Sequence, residues 1–439
     1  MDVEGYARRN LLAGRSEEEI IENLTERICE IKDTSWEFAH NFASAVMVEV
    51  KATSHLSGDL LTYEKAEVTM GKFGVGSRGT GDFYAHQKIA EIIGNTGAMV
   101  GVQDMDDAGV VEANGKFIIC TVDGMHSRLS DFPYLAGFHV TRATLRDCYV
   151  MGAKPVMLFS DIHVADDGDV AKIFDYTAGV TTVGELTGVP LVSGSTLRIG
   201  GDMVLGDRLT GCVGAVGVAD HITARRQAAP GDLLLMTEGA GGGTIATTAL
   251  YYGYHDVVMR TINLRFLKAA ELVLQSGLLH NIHAMTDVTN GGLRGDVHEM
   301  ARTAGMRFVV DEESAVSLVD SEVCNMLMDL SIDPLGVSLD ALLIIAPSDV
   351  ISSVKEILAA NNIKSAIIGR VEQGEPEPVL IRNGKEEPFT PKFREAAYTP
   401  LKKLVEKQPE DFEKMRTEVD RAAKAAIEKK KRMIKKLLG

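Results

Sequence analysis

Cysteine is scarce in this chain, and no two cysteines form a CxxC pair. The 439 residues include five cysteines, at positions 29, 120, 148, 212 and 324. Their number and scatter exclude a disulfide scaffold and a cysteine-based zinc site, and they suit a reducing compartment. There is no charge-free apolar stretch of about 18 residues, and no apolar signal core near residue 1. We therefore expect a cytoplasmic protein that does not enter a membrane.

An excess of positive charge is also missing. Lys and Arg number 46 against 62 Asp and Glu, which gives a net charge of −16. Such a chain is not broadly attracted to nucleic acids or anionic membranes, so we expect neither as a partner. Residues 401–439 differ, because they hold 13 basic and 7 acidic residues. We interpret this basic tail as a solvated helix that docks on the acidic body, with a nucleic-acid-binding arm as the alternative.

Changes of pattern divide the chain into four parts. Residues 1–65 predict a helical extension, with helices that begin after Ser16 and at Trp36. Residues 66–224 and 225–399 each combine apolar runs typical of strands with helical stretches, and a polar Pro-Gly break at 225–232 separates them. Residues 400–439 are the basic helical tail. The composition, 45% hydrophobic with 43 Gly, is that of a globular α/β or α+β protein.

Most strands and helices are predicted from apolar runs and helical periodicity. The predicted helices cover 135–151, 171–187 and a long region at 244–278. A short strand is expected at 68–70. The longer predicted strands cover 117–123, 155–164, 189–196, 211–219, 232–240, 307–310, 340–347 and 365–371.

A glycine-rich segment, GVGSRGTGD (74–82), precedes a helix with one apolar face. Closely spaced glycines let backbone N–H groups approach a phosphate, and a helix N-terminus favours negative charge. The segment also fits G-x-G-x-x-G, but the preceding strand is short and no clear βαβ unit follows. A phosphate-contacting loop, a flexible turn and a dinucleotide site all remain open at this point.

Several aspartates stand next to apolar runs. They are Asp104, Asp106, Asp107, Asp123, Asp147 and Asp161. Single carboxylates are costly to bury, so a convergence of several suggests a hard divalent cation that bridges to phosphate. The alternative is that each one simply caps a turn.

A third candidate is MTDVTNGGL (285–293), a strand-to-helix turn with two glycines. Such a turn can hold an anion or a small substrate, or it can be purely structural. In the helix that follows, the pattern turns Leu293 and Val297 inward and predicts that Arg294, Asp296 and Glu299 face outward.

Six motifs occur in an order that resembles the aminoimidazole ribonucleotide (AIR) synthetase superfamily, the PurM-like proteins. They are DDAGVV with TVDG, RDCYVMGAKPVMLFSD, VPLVSGST, APGDLLLMTEGAGGG, HAMTDVTNGGLRGDVHEMA and SIDPLG. The resemblance covers roughly residues 66–392, and its strongest likeness is to the hydrogenase-maturation (HypE) and selenophosphate synthetase branches. It implies an α+β, two-domain AIR synthase-like fold, here with N- and C-terminal helical extensions.

The resemblance also implies a homodimer that binds ATP and Mg²⁺ and acts on a small-molecule substrate. By position, the metal ligands would be Asp106, Asp107, Asp123 and Asp147, and the catalytic residues would be Asp123, Asp147 and Asp287. ATP and its phosphates would be contacted by a larger set. That set is Lys72, Gly76, Ser77, Arg78, Gly79, Gly81, Thr121, Gly194, Asn290, Gly291 and Gly292.

Two positions depart from the family pattern. Arg146 stands where the family often has Asn, and Ser195 stands where it often has a carboxylate, for which Asp202 or Asp207 could compensate. The reactive cysteines of the two closest branches are absent as well. The leading hypothesis is a Mg²⁺-dependent enzyme that phosphorylates or phosphoryl-activates a small molecule with ATP. The alternative is a non-catalytic member that binds a nucleotide or metabolite and serves in assembly or regulation.

Overall fold

The computed structural model describes residues 1–289, 291–395 and 398–438. Three N-terminal helices form a small bundle, α1 (Val3–Leu12), α2 (Glu17–Ile31) and α3 (Trp36–Ala52). Asp2, Ser16 and Ser35 cap them through side-chain hydrogen bonds to first-turn amides. The apolar core of the bundle includes Leu205, so the bundle packs on a loop of the neighbouring sheet. The sequence pattern predicted α2 and α3 but not α1.

A five-stranded sheet forms the next part. Its helices are α4 (Met70–Phe73), α5 (Thr80–Ile93), α6 (Pro133–Val150) and α7 (Ala171–Thr187). Its strands are β1 (Gly109–Ala113), β2 (Lys116–Gly124), β3 (Lys154–Val164), β4 (Leu191–Arg198) and β5 (Leu209–Ala219), in the order β1-β2-β5-β3-β4. Within this sheet, β3 and β4 pair in parallel, whereas the pairs β1–β2, β2–β5 and β3–β5 are antiparallel. The short strand predicted at 68–70 was wrong, because Thr69 caps α4 there.

One face of this sheet is covered by α6 and α7, and the other is open in the single chain. On β2, Ile119 is buried on the covered face, whereas Cys120 and Val122 are exposed on the open face. Val111 of the neighbouring strand β1 is exposed on the same face.

A seven-stranded mixed sheet follows. Its helices are α8 (Gly243–Tyr252), α9 (His255–Thr261), α10 (Arg265–Gln275), α11 (Gly292–Ala304), α12 (Glu312–Val316), α13 (Ser321–Asp329) and α14 (Ser348–Ala360). Its strands are β6 (Leu233–Thr237), β7 (Ala284–Val288), β8 (Arg307–Asp311), β9 (Ala341–Ala346), β10 (Ser365–Glu372), β11 (Pro378–Arg382) and β12 (Lys385–Pro388), in the order β12-β11-β8-β10-β6-β9-β7. The long helical region predicted at 244–278 is three helices, since Gly253 in the left-handed region ends α8.

Helix α6 joins the two sheets. It contacts β2 and β5 on one side and β7 and α10 on the other. One hydrophobic core therefore runs from Val213 of the first sheet to Met285 and Ile344 of the second. Among the described residues, no helix has the length and apolarity needed to span a bilayer.

The basic tail forms α15 (Pro400–Leu404) and the long helix α16 (Phe412–Leu438). Helix α16 packs along α5, where Lys430 Nζ donates to the carbonyls of Ile92 and Ile93 at 2.8 and 2.7 Å. Arg432 forms an ion pair with Asp59. The tail therefore docks on the body, as the solvated-helix interpretation predicted.

Candidate active site between the two sheets

The two sheets enclose a cavity of about 780 Å³ beside α6. Its lining comes from the loop before β1, from β2 and α6, and from β7 and α11 of the second sheet. A cavity of this size matches the clefts that hold small ligands and cofactors.

Five of the predicted aspartates meet in this cavity. Asp106 and Asp107 precede β1, and Asp123 ends β2. Asp147 lies in the last turn of α6, and Asp287 lies on β7. The structure thus brings together residues that are up to 181 positions apart in the chain. Thr121, which also lines the cavity, donates from Oγ1 to Asp147 Oδ2 at 2.7 Å.

A single buried arginine and a pair of buried arginines lie among these carboxylates. The first is Arg225, 2% exposed, which pairs with Asp107 and also donates to Glu299 Oε2 at 3.0 Å. Its guanidinium also donates to Thr286 Oγ1 at 2.8 Å and to the Met105 carbonyl at 3.0 Å, and its backbone N–H donates to Asp106 at 3.0 Å. A buried charge with so many hydrogen bonds holds its carboxylate neighbours in place.

The second group lies on α6. Arg146 Nε lies 2.9 Å from Asp287 Oδ2, and Arg146 also pairs with Asp340. Arg142, one helical turn earlier, pairs with the same Asp340 and donates to the Thr261 carbonyl at 2.6 Å. Asp340 precedes β9, so this network ties α6 to the second sheet.

Burial changes the acidity of the cavity carboxylates. It raises the pKa of Asp106 to about 7 against the opposing charge of Arg225, and that of Asp287 to about 7 against Arg146. Burial and the charges of Asp123 and Asp287 raise the pKa of Asp147 well above its ordinary value. A cation that approaches these carboxylates would therefore lower their pKa values and stabilise their ionised forms.

The carboxylate oxygens of the cavity suit a hard cation that takes only some of its ligands from the protein. Asp107 Oδ2 is buried and has no hydrogen-bond partner. Within residues 1–289, 291–395 and 398–438, no group of three or more His, Cys, Asp or Glu is arranged to hold a metal alone. Mg²⁺ suits such a site, because it keeps several waters and binds one or two carboxylates together with substrate phosphates.

The glycine-rich loop lies at the rim of the cavity, and only Arg78 of this loop lines it. The N–H groups of Gly76 and Arg78 donate to the buried Asp82 at 2.9 and 2.8 Å. Ser77 is buried beside the C-terminal segment, whereas Lys72 is exposed. Gly79 and Gly81 also face that segment and approach Phe393.

Other predicted residues lie farther from the cavity lining. Gly291 and Gly292 begin α11, and Gly291 closely approaches Arg78, whereas Asn290 lies outside the described residues. Gly194 and Ser195 line a separate cavity of about 300 Å³ with Tyr176.

The two aspartates considered as substitutes for Ser195 do not line the main cavity. Asp202 pairs with Arg198, and Asp207 pairs with Lys172.

The sequence pattern missed four functional candidates. Arg225 stood in a presumed polar linker, and Arg142 lay within a predicted helix, where it was not singled out. Glu299 and Asp296 were predicted to face outward together with Arg294, which was wrong, because all three side chains are buried and Glu299 lines the cavity. An arginine placed four residues before Arg146 was the one available signal, since i and i+4 share a helix face.

Comparisons with known proteins agree with this architecture. The family models for AIR synthase related proteins match residues 105–219 (N-terminal domain) and 229–381 (C-terminal domain). An uncharacterized protein of Methanocaldococcus jannaschii is 52% identical over 98% of this chain and 97% of its own length. A selenide, water dikinase of Myxococcus xanthus is 32% identical over 49% of this chain and 60% of its own.

A solved structure shares the fold. The hydrogenase maturation protein HypE in complex with ATP aligns with a TM-score of 0.54 at 19% identity, over 65% of this chain and 88% of that one. The predicted two-domain AIR synthase-like fold is thereby confirmed. The chain belongs to the AIR synthase related protein family.

Proposed function

We propose that this protein is a Mg²⁺-dependent enzyme that uses ATP to phosphorylate or phosphoryl-activate a small molecule in the cytoplasm. The observation that carries the proposal is the meeting of five carboxylates from both sheets in one cavity, with Asp107 Oδ2 buried and without a hydrogen-bond partner. The family supports it, because solved HypE holds ATP and a relative is named a dikinase.

Asp107, Asp123 and Asp147 are the candidate ligands, of which one cation would take one or two. When bound, Mg²⁺ would neutralise charge on the phosphate oxygens. Arg78 and Arg225 lie on the same lining and add positive charge near a polyphosphate. Phosphoryl transfer relies mainly on positioning and charge stabilisation, and these are the roles that we propose for these residues.

Asp287 is the candidate for proton transfer. Its pKa near 7 lets it accept a proton from an acceptor hydroxyl at neutral pH, and the Arg146 guanidinium lies 2.9 Å from one of its carboxylate oxygens. Because β7 and α6 bury it between the sheets, bulk water has little access to the carboxylate.

We also propose a homodimer built on the five-stranded sheet. A homodimer would bury the exposed valines Val111 and Val122 of the open face against the same face of a second copy. A clean monomer mass by light scattering at micromolar concentration would count against it.

Asp107→Asn and Asp123→Asn test the function. Each keeps size and polarity but removes the charge that a hard cation requires, so Mg-ATP affinity and turnover should fall at least about ten-fold. The control is Asp104→Asn, because Asp104 lies outside the cavity and its asparagine can still accept from the Gly101 N–H. Calorimetry with ATP and Mg²⁺ measures affinity, and phosphate release measures turnover. Equal damage in all three variants, or normal binding in all three, would refute the site.

A second candidate is a nucleotide- or metabolite-binding member without catalysis. The observation in its favour is that Arg146 and Arg225 already compensate Asp287 and Asp107, which leaves less negative charge for a metal. Tight binding of nucleotide that does not depend on Mg²⁺, without phosphate release, would favour it.

A further inference from the structure

The glycine-rich loop is organised around a buried carboxylate rather than left open for a ligand. The Gly76 and Arg78 N–H groups both donate to Asp82, which is 1% exposed. Arg78 has a φ of +52°, in the left-handed region, so the turn is sharp at that residue. These two amides are thus used within the loop, and Arg78 is the loop residue that lines the cavity.

Residues 392–395, here called the strap, hold this loop from the other side. The Glu395 N–H donates to the Ser77 carbonyl at 3.2 Å, and the Thr80 N–H donates to the Lys392 carbonyl at 3.1 Å. Arg394 donates to Ser77 Oγ at 3.4 Å and to the Lys72 carbonyl at 3.3 Å. The strap thus binds the loop at both ends of the turn that carries Arg78.

The strap is itself fixed to the second sheet through Glu395. This side chain, 3% exposed, accepts from Arg294 at 3.0 and 3.2 Å and from the Lys392 N–H at 2.7 Å. Arg294 also pairs with Asp333. Since Arg294 lies on α11, the strap is attached to the helix that supplies Glu299 to the cavity.

A ring cluster completes the attachment. Phe393 packs edge-on against Phe412, the first residue of α16, with ring centroids 5.0 Å apart. Phe412 in turn contacts Phe73 of α4 at 5.3 Å. A Cβ at Gly79 would lie 2.1 Å from the Phe393 carbonyl oxygen, so the loop and the strap are in direct backbone contact.

We infer that Glu395 and Arg394 are positioning residues, which hold the loop 74–82 as a closed lid and so keep Arg78 in the cleft. The identity of the ligand, an anionic nucleotide phosphate, rests on the proposed function, whereas the attachment of the lid to the strap does not. The C-terminal segment then controls the cleft: when the strap is in place, Arg78 faces the ligand, and when it detaches, the loop loses its partners.

The test compares full-length wild type with Glu395→Gln and Arg394→Ala. Glu395→Gln keeps the shape but removes the negative charge that pairs with Arg294. Arg394→Ala removes the bonds that the Arg394 side chain makes to the loop and leaves the buried Arg294–Glu395 pair intact. The control is Glu375→Gln, at an exposed glutamate. Amide hydrogen exchange of residues 71–82 is read against exchange in β7 and α14, and ATP affinity is measured with Mg²⁺.

We expect exchange in the loop to rise at least about ten-fold in both variants, because each loses one or more charge-assisted bonds, with β7, α14 and the control unchanged. ATP affinity should fall at least about five-fold in both. Unchanged loop exchange, or faster exchange throughout the protein in Arg394→Ala, would overturn the inference. Faster loop exchange with unaltered ATP affinity would overturn the positioning role. If wild type binds no nucleotide, the proposed function fails, while the exchange data still decide whether the strap holds the lid.

Discussion

Replacing Asp340 with asparagine should strongly destabilise the protein, because this carboxylate compensates two buried arginines. Arg142 and Arg146 both pair with it, and the side chains of all three residues are between 1 and 6% exposed. Asparagine has the same size and tolerates the left-handed backbone that Asp340 adopts, φ +58°. The substitution therefore changes charge and little else.

The size of the effect follows from the remaining partners. Arg146 keeps Asp287, but Arg142 keeps only the Thr261 carbonyl, so one buried guanidinium loses its counter-charge. Removing one partner of a buried ion pair costs about 3–5 kcal/mol of unfolding free energy. For a chain of this size, we expect the melting temperature to fall by about 3–5 °C.

Urea unfolding followed by circular dichroism measures this change, with Asp33→Asn as the control at an exposed aspartate. The double variant Arg142→Met with Asp340→Asn completes a cycle, and its loss should be smaller than the sum of the single losses. Two results would refute the reasoning: Asp340→Asn within about 0.5 kcal/mol of wild type, the range of ordinary surface changes, or losses that simply add.

Three further predictions use other parts of the structure. Burial and the nearby charge of Lys402 lower the pKa of His126 to about 4, so between pH 6.5 and 4 this histidine gains a proton mainly in the unfolded chain. The free energy of unfolding should therefore fall by about 1–3 kcal/mol between pH 6.5 and 4. Urea titrations across that range should show that His126→Gln lacks this part of the pH dependence. Gly79→Ala should speed proteolysis near the loop, because its Cβ would meet the Phe393 backbone, and an unaltered cleavage pattern would contradict the contact. Val111→Asp should yield folded monomers in light scattering, because it places a charge on the open sheet face outside the cavity lining, and a retained dimer would place the interface elsewhere.

The local pattern of the sequence was enough to locate most strands and several helices. Apolar runs predicted β2, β3 and β5 to within two residues at each end, because buried strands are continuous and bounded by glycine and aspartate. Family motifs supplied the fold, which the comparisons confirmed. The sequence pattern also selected all five aspartates that line the cavity. What it lacked was the length of α8 to α10 and the existence of α1.

Only the tertiary structure decided which charges are buried and what opposes them. Helical periodicity places Asp296 and Glu299 on one face of α11, but it does not say whether water or another domain covers that face. The same limit applies to Arg225, which reads as part of a polar linker and is in fact buried at the cleft. The glycine loop contacts the strap about 315 residues later in the chain, as in the bond from Glu395 to Ser77. Contacts between residues so far apart in the chain depend on how the helices and strands pack, because a local sequence pattern does not identify the partner residue.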